Sequence, residues 1–203
     1  DGHEIVNNTF RDSVTGVDAF NVASSNTRIA GNYFTNWSRP TGSDAHQDLF
    51  QAFSSNGEVA TNVVIEGNFA VNCTDCQIGN IENQGEPLRN GGRVAEWTWR
   101  NNIFANVTAM MSIYAEHFRF YNNVFYKSGT SSGGPLFFRV STDRGHGHNG
   151  RVFNNIFVEC GSNPSNPSLG FYHRESGVTN LVGDYNLFLG TGAGTSKSVT
   201  EAH

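Results

Sequence analysis

The densest group of chemically active residues in the chain is the segment Ser43-Asp44-Ala45-His46-Gln47-Asp48-Leu49-Phe50-Gln51. Side chains two positions apart on extended backbone point to the same side, so His46 and Asp48 are placed to share a proton or to orient each other. We predict an acid/base pair here, with Gln51 facing outward further along the strand. The alternative is a structural role, in which His46 and Asp48 tie down a long insertion.

A second group of candidate residues is cationic. Arg139 precedes the loop Asp143-Arg144-Gly145-His146-Gly147-His148, and His173 follows one repeat later. We expect Arg139 and His173 to be neighbours on one strand ladder. A positive group that neutralises a substrate carboxylate lowers the barrier to removing the adjacent proton in a β-elimination. Arg139 and His173 would then be the neutraliser and a proton carrier, with His46 or Tyr114 as the other proton carrier.

Composition limits the classes of function. The 13 Lys and Arg residues against 18 Asp and Glu give a net charge of -5, whereas nucleic acids and anionic membranes select a basic surplus. We therefore predict neither a nucleic-acid partner nor a membrane partner. A charged fraction of 15% with 23 Gly and 16 Phe is typical of a turn-rich all-β protein. A length of 203 residues favours one domain over residues 1–203.

The cysteines and the first residues bear on the compartment. Cys73 and Cys76 could pair with each other or bind a metal, but no second pair completes a zinc site. Cys160 is expected to be a small buried hydrophobic residue. The chain starts at Asp1-Gly2-His3, without an initiator Met. We expect a mature or trimmed part of a larger secreted protein, lacking one or both capping segments.

A short pattern of Asn followed two residues later by Phe recurs along the chain, with Ala70 in place of Phe in one unit. Its seven Asn residues are Asn8, Asn32, Asn68, Asn102, Asn123, Asn155 and Asn186. Spacings of 21 to 36 residues indicate a coil of fixed size with loops inserted. Asn tolerates the left-handed backbone of a sharp corner, and its amide can bond to equivalent amides about 4.8 Å away on neighbouring coils. The pattern predicts an Asn ladder at one corner and a Phe stack inside.

These repeats resemble those of the pectate-lyase-like superfamily of right-handed parallel β-helices, over nearly the whole chain. The resemblance implies an all-β, single-stranded solenoid of about seven coils. The superfamily includes polysaccharide lyases, glycoside hydrolases, uronan epimerases, pectin esterases, phage tailspikes and adhesins, so it does not select one activity. The segment from His46 to Gln51 also resembles a His-x-Asp-x-x-Gln strand of several β-helix carbohydrate enzymes. It is more loosely similar to the Asp-Pro-His-Asp motif of alginate epimerases, from which Ala45 and the inserted Gln47 depart.

The binding groove of this superfamily usually follows one parallel sheet, and alternation along its strands predicts which side chains face out. The predicted core positions are Phe20, Phe50, Met111, Phe138 and Tyr172. The predicted outer positions are Asn21, Gln51, Asn80, Ser112, Arg139 and His173, flanked by Phe53, Glu82, Tyr114, Ser141 and Glu175. Polar side chains beside aromatic rings suit a sugar polymer, although a merely solvated sheet is the alternative. The expected substrate-binding residues are Gln51, Phe53, Asn80, Glu82, Tyr114 and Arg174, and the expected catalytic residues are His46, Asp48, Arg139 and His173.

We therefore expect a secreted polysaccharide-active enzyme, in the first place a lyase that cleaves a uronate-containing polysaccharide or oligosaccharide by β-elimination. A glycoside hydrolase is the second expectation, with Asp48 and Glu82 as its two carboxylates. A tailspike, adhesin or other non-catalytic glycan-binding β-helix is the third. No cofactor is assigned with certainty. Calcium is a candidate, because Asp18, Asp48 and Glu82 could line up as oxygen ligands on successive coils.

Overall fold

The structure is a computed structural model and describes residues 2–14, 16–39, 47–54, 57–83, 92–131, 134–141, 144–161, 172–174 and 176–190. The regular structure in these residues is entirely β, which confirms the predicted class. No helix in the described residues is long and apolar enough to cross a membrane. The strands are β1 (Glu4–Val6), β2 (Thr9–Arg11), β3 (Phe20–Asn21), β4 (Arg28–Ala30), β5 (Tyr33–Ser38), β6 (Asp48–Phe53), β7 (Val59–Glu66), β8 (Phe69–Glu82), β9 (Arg93–Arg100), β10 (Ile103–Tyr114), β11 (Arg119–Tyr121), β12 (Val124–Tyr126), β13 (Leu136–Phe138), β14 (Val140–Ser141), β15 (Gly145–His146), β16 (Arg151–Phe153), β17 (Ile156–Val158), β18 (Tyr172–Arg174), β19 (Val182–Asp184) and β20 (Leu187–Leu189).

The strands stack in parallel as three faces of a solenoid. The first face has the order β1-β4-β7-β9-β11-β16-β19, and the second has the order β2-β5-β8-β10-β12-β17-β20. The third face consists of β3, β6, residues 77–82 of β8, residues 109–114 of β10, β13 and β18. The long strands β8 and β10 run through both the second and the third face. Since each strand pairs with its equivalent on the next coil, the predicted parallel β-helix is confirmed.

The corner between the first and second faces carries the predicted Asn ladder. Each Asn side chain donates through Nδ2 to Oδ1 of the next Asn, over 2.9 to 3.2 Å, from Asn8 through to Asn186. Each Oδ1 also accepts the backbone N–H of the preceding Asn in the ladder. These bonds satisfy polar groups that the fold buries, and they fix the register of successive coils.

The left-handed residue at this corner is not the ladder Asn itself, which corrects the prediction. Positive φ values of 52° to 64° belong to the preceding residue of each unit. These residues are Asn7, Gly31, Gly67, Asn101, Asn122, Asn154 and Tyr185. Two neighbouring residues therefore form each corner. The first adopts the left-handed conformation, and the Asn that follows directs its side-chain amide along the solenoid axis. Gly and Asn predominate at the turning position because they tolerate this conformation best.

Aromatic rings fill the interior of the solenoid. Phe104, Phe125, Phe157 and Phe188 stack with ring centroids 5.0 to 5.4 Å apart. The small Ala70 holds the equivalent position one coil earlier, opposite Phe104, so the irregular unit keeps its register. Trp99 on the first face fills the resulting space, with its ring centroid 4.9 Å from that of Phe50 on the third face. The predicted Phe stack is confirmed, and Trp99 packs where Ala70 interrupts it.

Candidate functional site

The outer side of the third face carries a continuous ladder of mostly polar residues. Backbone pairing places Gln51 opposite Asn80, Asn80 opposite Ser112, and Ser112 opposite Phe137. His173 follows, opposite Phe137. The predicted alignment of Gln51, Asn80, Ser112 and His173 is therefore present. Phe137 joins them as an aromatic member that the sequence alignment did not assign to this ladder.

A parallel row lies two residues further along the same strands. Phe53 is opposite Glu82, and Glu82 is opposite Tyr114, as predicted. Arg139 extends this row, since its backbone N–H donates to the carbonyl of Ile113 over 2.9 Å. The predicted pairing of Arg139 with His173 is wrong, because the register there slips by two residues. A slip of two keeps a side chain on the same face while it changes the neighbours.

The carboxylate of Glu82 is the centre of a polar cluster under a short hairpin. Its Oε1 accepts a hydrogen bond from Asn80 Nδ2 at 3.0 Å and lies 3.3 Å from Arg144 Nη1. The hairpin of β14 and β15 brings Arg144 to this position from the end of the third face. Glu82 is only 4% exposed, and Asn80 is nearly buried as well. Glu82 is thus an ordered anchor within the cluster, since burial at ion-pair distance from Arg144 fixes its position.

Arg139 lies between two aromatic rings at the surface of this cluster. Its guanidinium carbon is 5.0 Å from the centre of the Tyr114 ring and 4.8 Å from that of Phe137. Arg144 also approaches the Tyr114 ring, at 5.8 Å. Tyr114 is 3% exposed, whereas Arg139 and Phe137 retain partial exposure. Cation–π contacts with the two rings restrain the Arg139 side chain, so its positive charge has a defined position beside the two rows.

Two of the predicted binding residues complete the groove further along the solenoid axis. Gln51 and Phe53 are half-buried on β6, beside the Asn80 and Glu82 positions of the next coil. Arg174 pairs with Phe138, which is a core position, rather than with one of the outer rows. The two rows therefore run from Gln51 and Phe53 to Phe137 and Arg139, and Arg174 lies off both of them.

Of the predicted pair His46 and Asp48, the structure describes Asp48 alone. His46 lies outside the described residues. Asp48 has no exposed surface, and the next two residues of β6, Leu49 and Phe50, are fully buried as well. Its backbone N–H donates to Asp18 Oδ1 at 2.9 Å, and its Oδ2 accepts a hydrogen bond from Gln51 at 3.4 Å. Asp48 is thus a buried residue in contact with Gln51 and Asp18, and its predicted acid/base pairing with His46 stays a prediction.

The predicted carboxylate sets do not come together. Asp48 pairs with Gln77, whereas Glu82 lies five residues further along β8, about 16 Å away at 3.3 Å per residue. Asp48 and Glu82 are therefore not directly opposite each other on adjacent coils, and their role as the two carboxylates of a glycoside hydrolase stays a prediction. Asp18, Asp48 and Glu82, which all lie in the described residues, do not form the expected calcium site. In the described part of the chain, no group of three His, Cys, Asp or Glu side chains is arranged to hold a metal ion.

The three cysteines are buried free thiols. Burial raises the pKa of Cys73 and of Cys160 to about 11. It also raises the pKa of Cys76, and the charges of Asp48 and Asp18 add to that effect. Cys160 is therefore the small buried residue that was predicted. All three remain protonated at neutral pH, which is unfavourable for metal binding, because the thiolate is the ligand form.

No protein-family model matches the chain, and neither a curated protein nor a solved structure matches it. The class of protein is therefore defined by its fold: the chain is a parallel β-helix whose third face carries rows of amide, aromatic and arginine side chains. This fold is compatible with polysaccharide-active and glycan-binding proteins.

Proposed function

We propose that the chain binds a uronate-containing polysaccharide along the outer side of the third face. The observation that carries this proposal is the placement of Arg139 between the rings of Tyr114 and Phe137, at 5.0 and 4.8 Å. An arginine held in this way offers its N–H groups to a carboxylate at little conformational cost. The side chains around Arg139 then determine which kind of carboxylate-bearing molecule fits this surface.

The neighbouring side chains favour a sugar polymer. Gln51 and Asn80 line one ladder of the groove, and planar amides are suited to hydrogen bonding with hydroxyl groups. Phe53 and Phe137 lie at its two ends with partly exposed rings, on which the apolar faces of pyranose rings can stack. Because the rows repeat at about 4.8 Å per coil, the groove presents similar groups in series. A linear chain of repeating units is the ligand that matches such a series.

Cleavage by β-elimination is the second, finer candidate, and the composition of the cluster favours it. Arg139 would neutralise the uronate carboxylate, which acidifies the proton on C5. A base removes that proton, its electron pair forms the C4–C5 double bond, and the C4–O bond breaks with protonation of the departing oxygen. Tyr114, whose ring centre lies 5.0 Å from the Arg139 guanidinium carbon, is the first candidate proton carrier, and His173, which pairs with Phe137 through its backbone, is the second. The reaction requires no oxidant or further substrate.

Such a polymer is found outside cells, so we place the protein there. The buried, protonated thiols are compatible with an oxidising compartment, because a thiolate is needed for disulfide exchange.

Equilibrium binding and product absorbance together test the proposal. Polygalacturonate and alginate are titrated into the protein, and the ultraviolet absorbance of an unsaturated uronate is followed in parallel. We expect saturable binding that Arg139→Gln weakens about tenfold or more, equivalent to about 1.4 kcal/mol. The control Arg11→Gln removes an exposed arginine from the second face and should leave the affinity within twofold.

The outcomes separate the two candidates. Binding with the absorbance increase supports the lyase, whereas binding without it leaves a glycan-binding β-helix. Equal affinities of the parent and Arg139→Gln for both polymers would contradict the proposed groove. Binding of neutral galactan as tightly as polygalacturonate would contradict the assignment of an acidic ligand.

A further inference from the structure

A second cationic surface lies on the outer side of the first face, away from the groove. It lines a cavity of about 510 Å³ formed by His117, Arg119, Asn149, Arg151, Asn180 and Val182. We infer that this cavity binds a tetrahedral oxyanion, a sulfate or phosphate group. The inference is independent of the function proposed for the third face, because it uses different residues on a different sheet.

Two arginines lie side by side in this cavity. Backbone pairing of β11 with β16 places Arg119 directly opposite Arg151, and both side chains are exposed. Within the described part of the chain, neither side chain has an ion pair or a hydrogen bond. Like charges opposite each other on adjacent strands destabilise a sheet. Since the fold nevertheless places them together, an anion between them would convert a repulsion into two favourable contacts.

Other arginines on the same face are paired, which sets this couple apart. Arg28 and Arg100 both bond to Glu66, at 2.7 and 2.6 Å. Two acidic residues lie near the cavity: Glu116 Oε2 is 3.7 Å from Nε2 of the lining residue His117, and Asp184 accepts the backbone N–H of Tyr185. Neither carboxylate forms an ion pair with Arg119 or Arg151, so the charges of the two arginines are not neutralised by them.

The geometry of the donors suits an oxyanion. Arg119 and Arg151 are one coil apart, about 4.8 Å, so that both guanidinium groups can reach the same tetrahedral group. The corner residue Asn149 accepts a hydrogen bond from Asn180 Nδ2 at 3.0 Å through its oxygen, which leaves its own Nδ2 as a further donor. His117 extends the same corner, with a positive φ like that of Asn149.

The surface beside the arginines favours an oxyanion carried by a sugar. Tyr121 and Phe153 are paired two residues further along the same strands, on the same outer side. Both rings are partly exposed. A sugar ring could stack on this aromatic pair while its sulfate or phosphate ester lies between Arg119 and Arg151.

Side-chain resonances of the arginines provide the test. Sodium sulfate, glucose 6-sulfate and glucose are titrated into the labelled protein at constant ionic strength, and the Nε–H signals of Arg119 and Arg151 are followed. We expect saturable shifts with both sulfates and none with glucose. Arg119→Gln and Arg151→Gln should each weaken binding about tenfold. Arg93→Gln, which removes a paired arginine from the same face, should change it less than twofold.

The results distinguish the source of the oxyanion. Tighter binding of glucose 6-sulfate than of sulfate supports an ester on a sugar, whereas equal affinities support a free ion at the same site. No saturable shift with either sulfate would overturn the inference, and so would an equal loss in Arg93→Gln. Because both arginines are exposed, melting temperatures close to that of the parent should verify that the variants fold.

Discussion

The carboxylate of Glu82 lies 3.3 Å from the guanidinium of Arg144, although the two residues are 62 positions apart in sequence. This ion pair joins the third face to the hairpin of β14 and β15. Glu82 is almost fully buried, while about half of the Arg144 side chain is exposed. The ion pair therefore holds the hairpin against the sheet near Arg139.

A double-mutant cycle of Glu82→Gln and Arg144→Gln should reveal this link. We expect a coupling free energy of about 1 kcal/mol, because one partner is buried and the other partly solvated. Urea denaturation of the parent, the two single variants and the double variant measures it. Additive losses from the two single substitutions would show that the pair does not couple the hairpin to the sheet.

The Asn ladder should contribute strongly to stability. Asn102 is fully buried; its Oδ1 accepts two hydrogen bonds from Asn68, and its Nδ2 donates to Ile65 and Asn123. Asn102→Ala leaves several buried groups without partners, at about 1 to 3 kcal/mol for each unsatisfied group. We expect a total loss of about 3 kcal/mol in the free energy of unfolding. Asn21→Ala, at an exposed position on the third face, should change it by less than about 0.5 kcal/mol.

The turning residue before each ladder Asn can be tested by a matched pair of substitutions. Asn122 is exposed and has a φ of 58°. Alanine in this conformation costs about 1 kcal/mol or more, whereas glycine adopts it readily. Asn122→Ala should therefore lower the urea midpoint, and Asn122→Gly should leave it nearly unchanged. Equal effects of the two substitutions would mean that the backbone conformation is not the determinant.

The pairing of Glu66 predicts a pH dependence of stability. Hydrogen bonds from Arg28 and Arg100 outweigh the opposing effect of burial and lower the pKa of Glu66 from its ordinary value of 4.5. A depressed folded-state pKa stabilises the protein fully above the unfolded-state pKa, and this stabilisation is lost as the pH falls through the folded-state value. Glu66→Gln should thus be less stable than the parent by about 1 kcal/mol at neutral pH.

This difference between Glu66→Gln and the parent should shrink progressively as the pH falls below 4.5. Chemical denaturation at neutral and acid pH measures it. Glu4→Gln is the control, because Glu4 is 65% exposed at 3.6 Å from Arg28 and contributes little. A difference that stays constant down to acid pH would contradict the assigned role of the two arginines.

The sequence was sufficient to predict the ladder and the coil, and the reason is physical. One Asn per coil marks the same corner, so residues such as Asn68 and Asn102 align without knowledge of the loops between them. The sequence did not predict which of the two corner residues is left-handed, because Asn7 and Asn8 are the same residue type with different backbone conformations.

The site was less predictable because no such marker exists on the third face. Alternation identifies which side of the sheet a residue faces. A register slip of two residues leaves that side unchanged, so alternation could not detect it. Arg139 was therefore placed beside His173 instead of Tyr114. The burial of Asp48 was also not predicted, because carboxylates are rarely fully buried. Arg144 reaches Glu82 through a hairpin that the repeat does not encode.

Chemical-shift mapping of the backbone amides with a trigalacturonate ligand tests the central claim most directly. The third-face groove predicts that the largest perturbations fall on Gln51, Asn80, Ser112, Phe137 and Arg139, and that they decrease in Arg139→Gln. Amides on the outer sides of the first and second faces should remain unperturbed. Perturbations centred on either of those faces, with the third-face amides unchanged, would contradict the assignment of the groove.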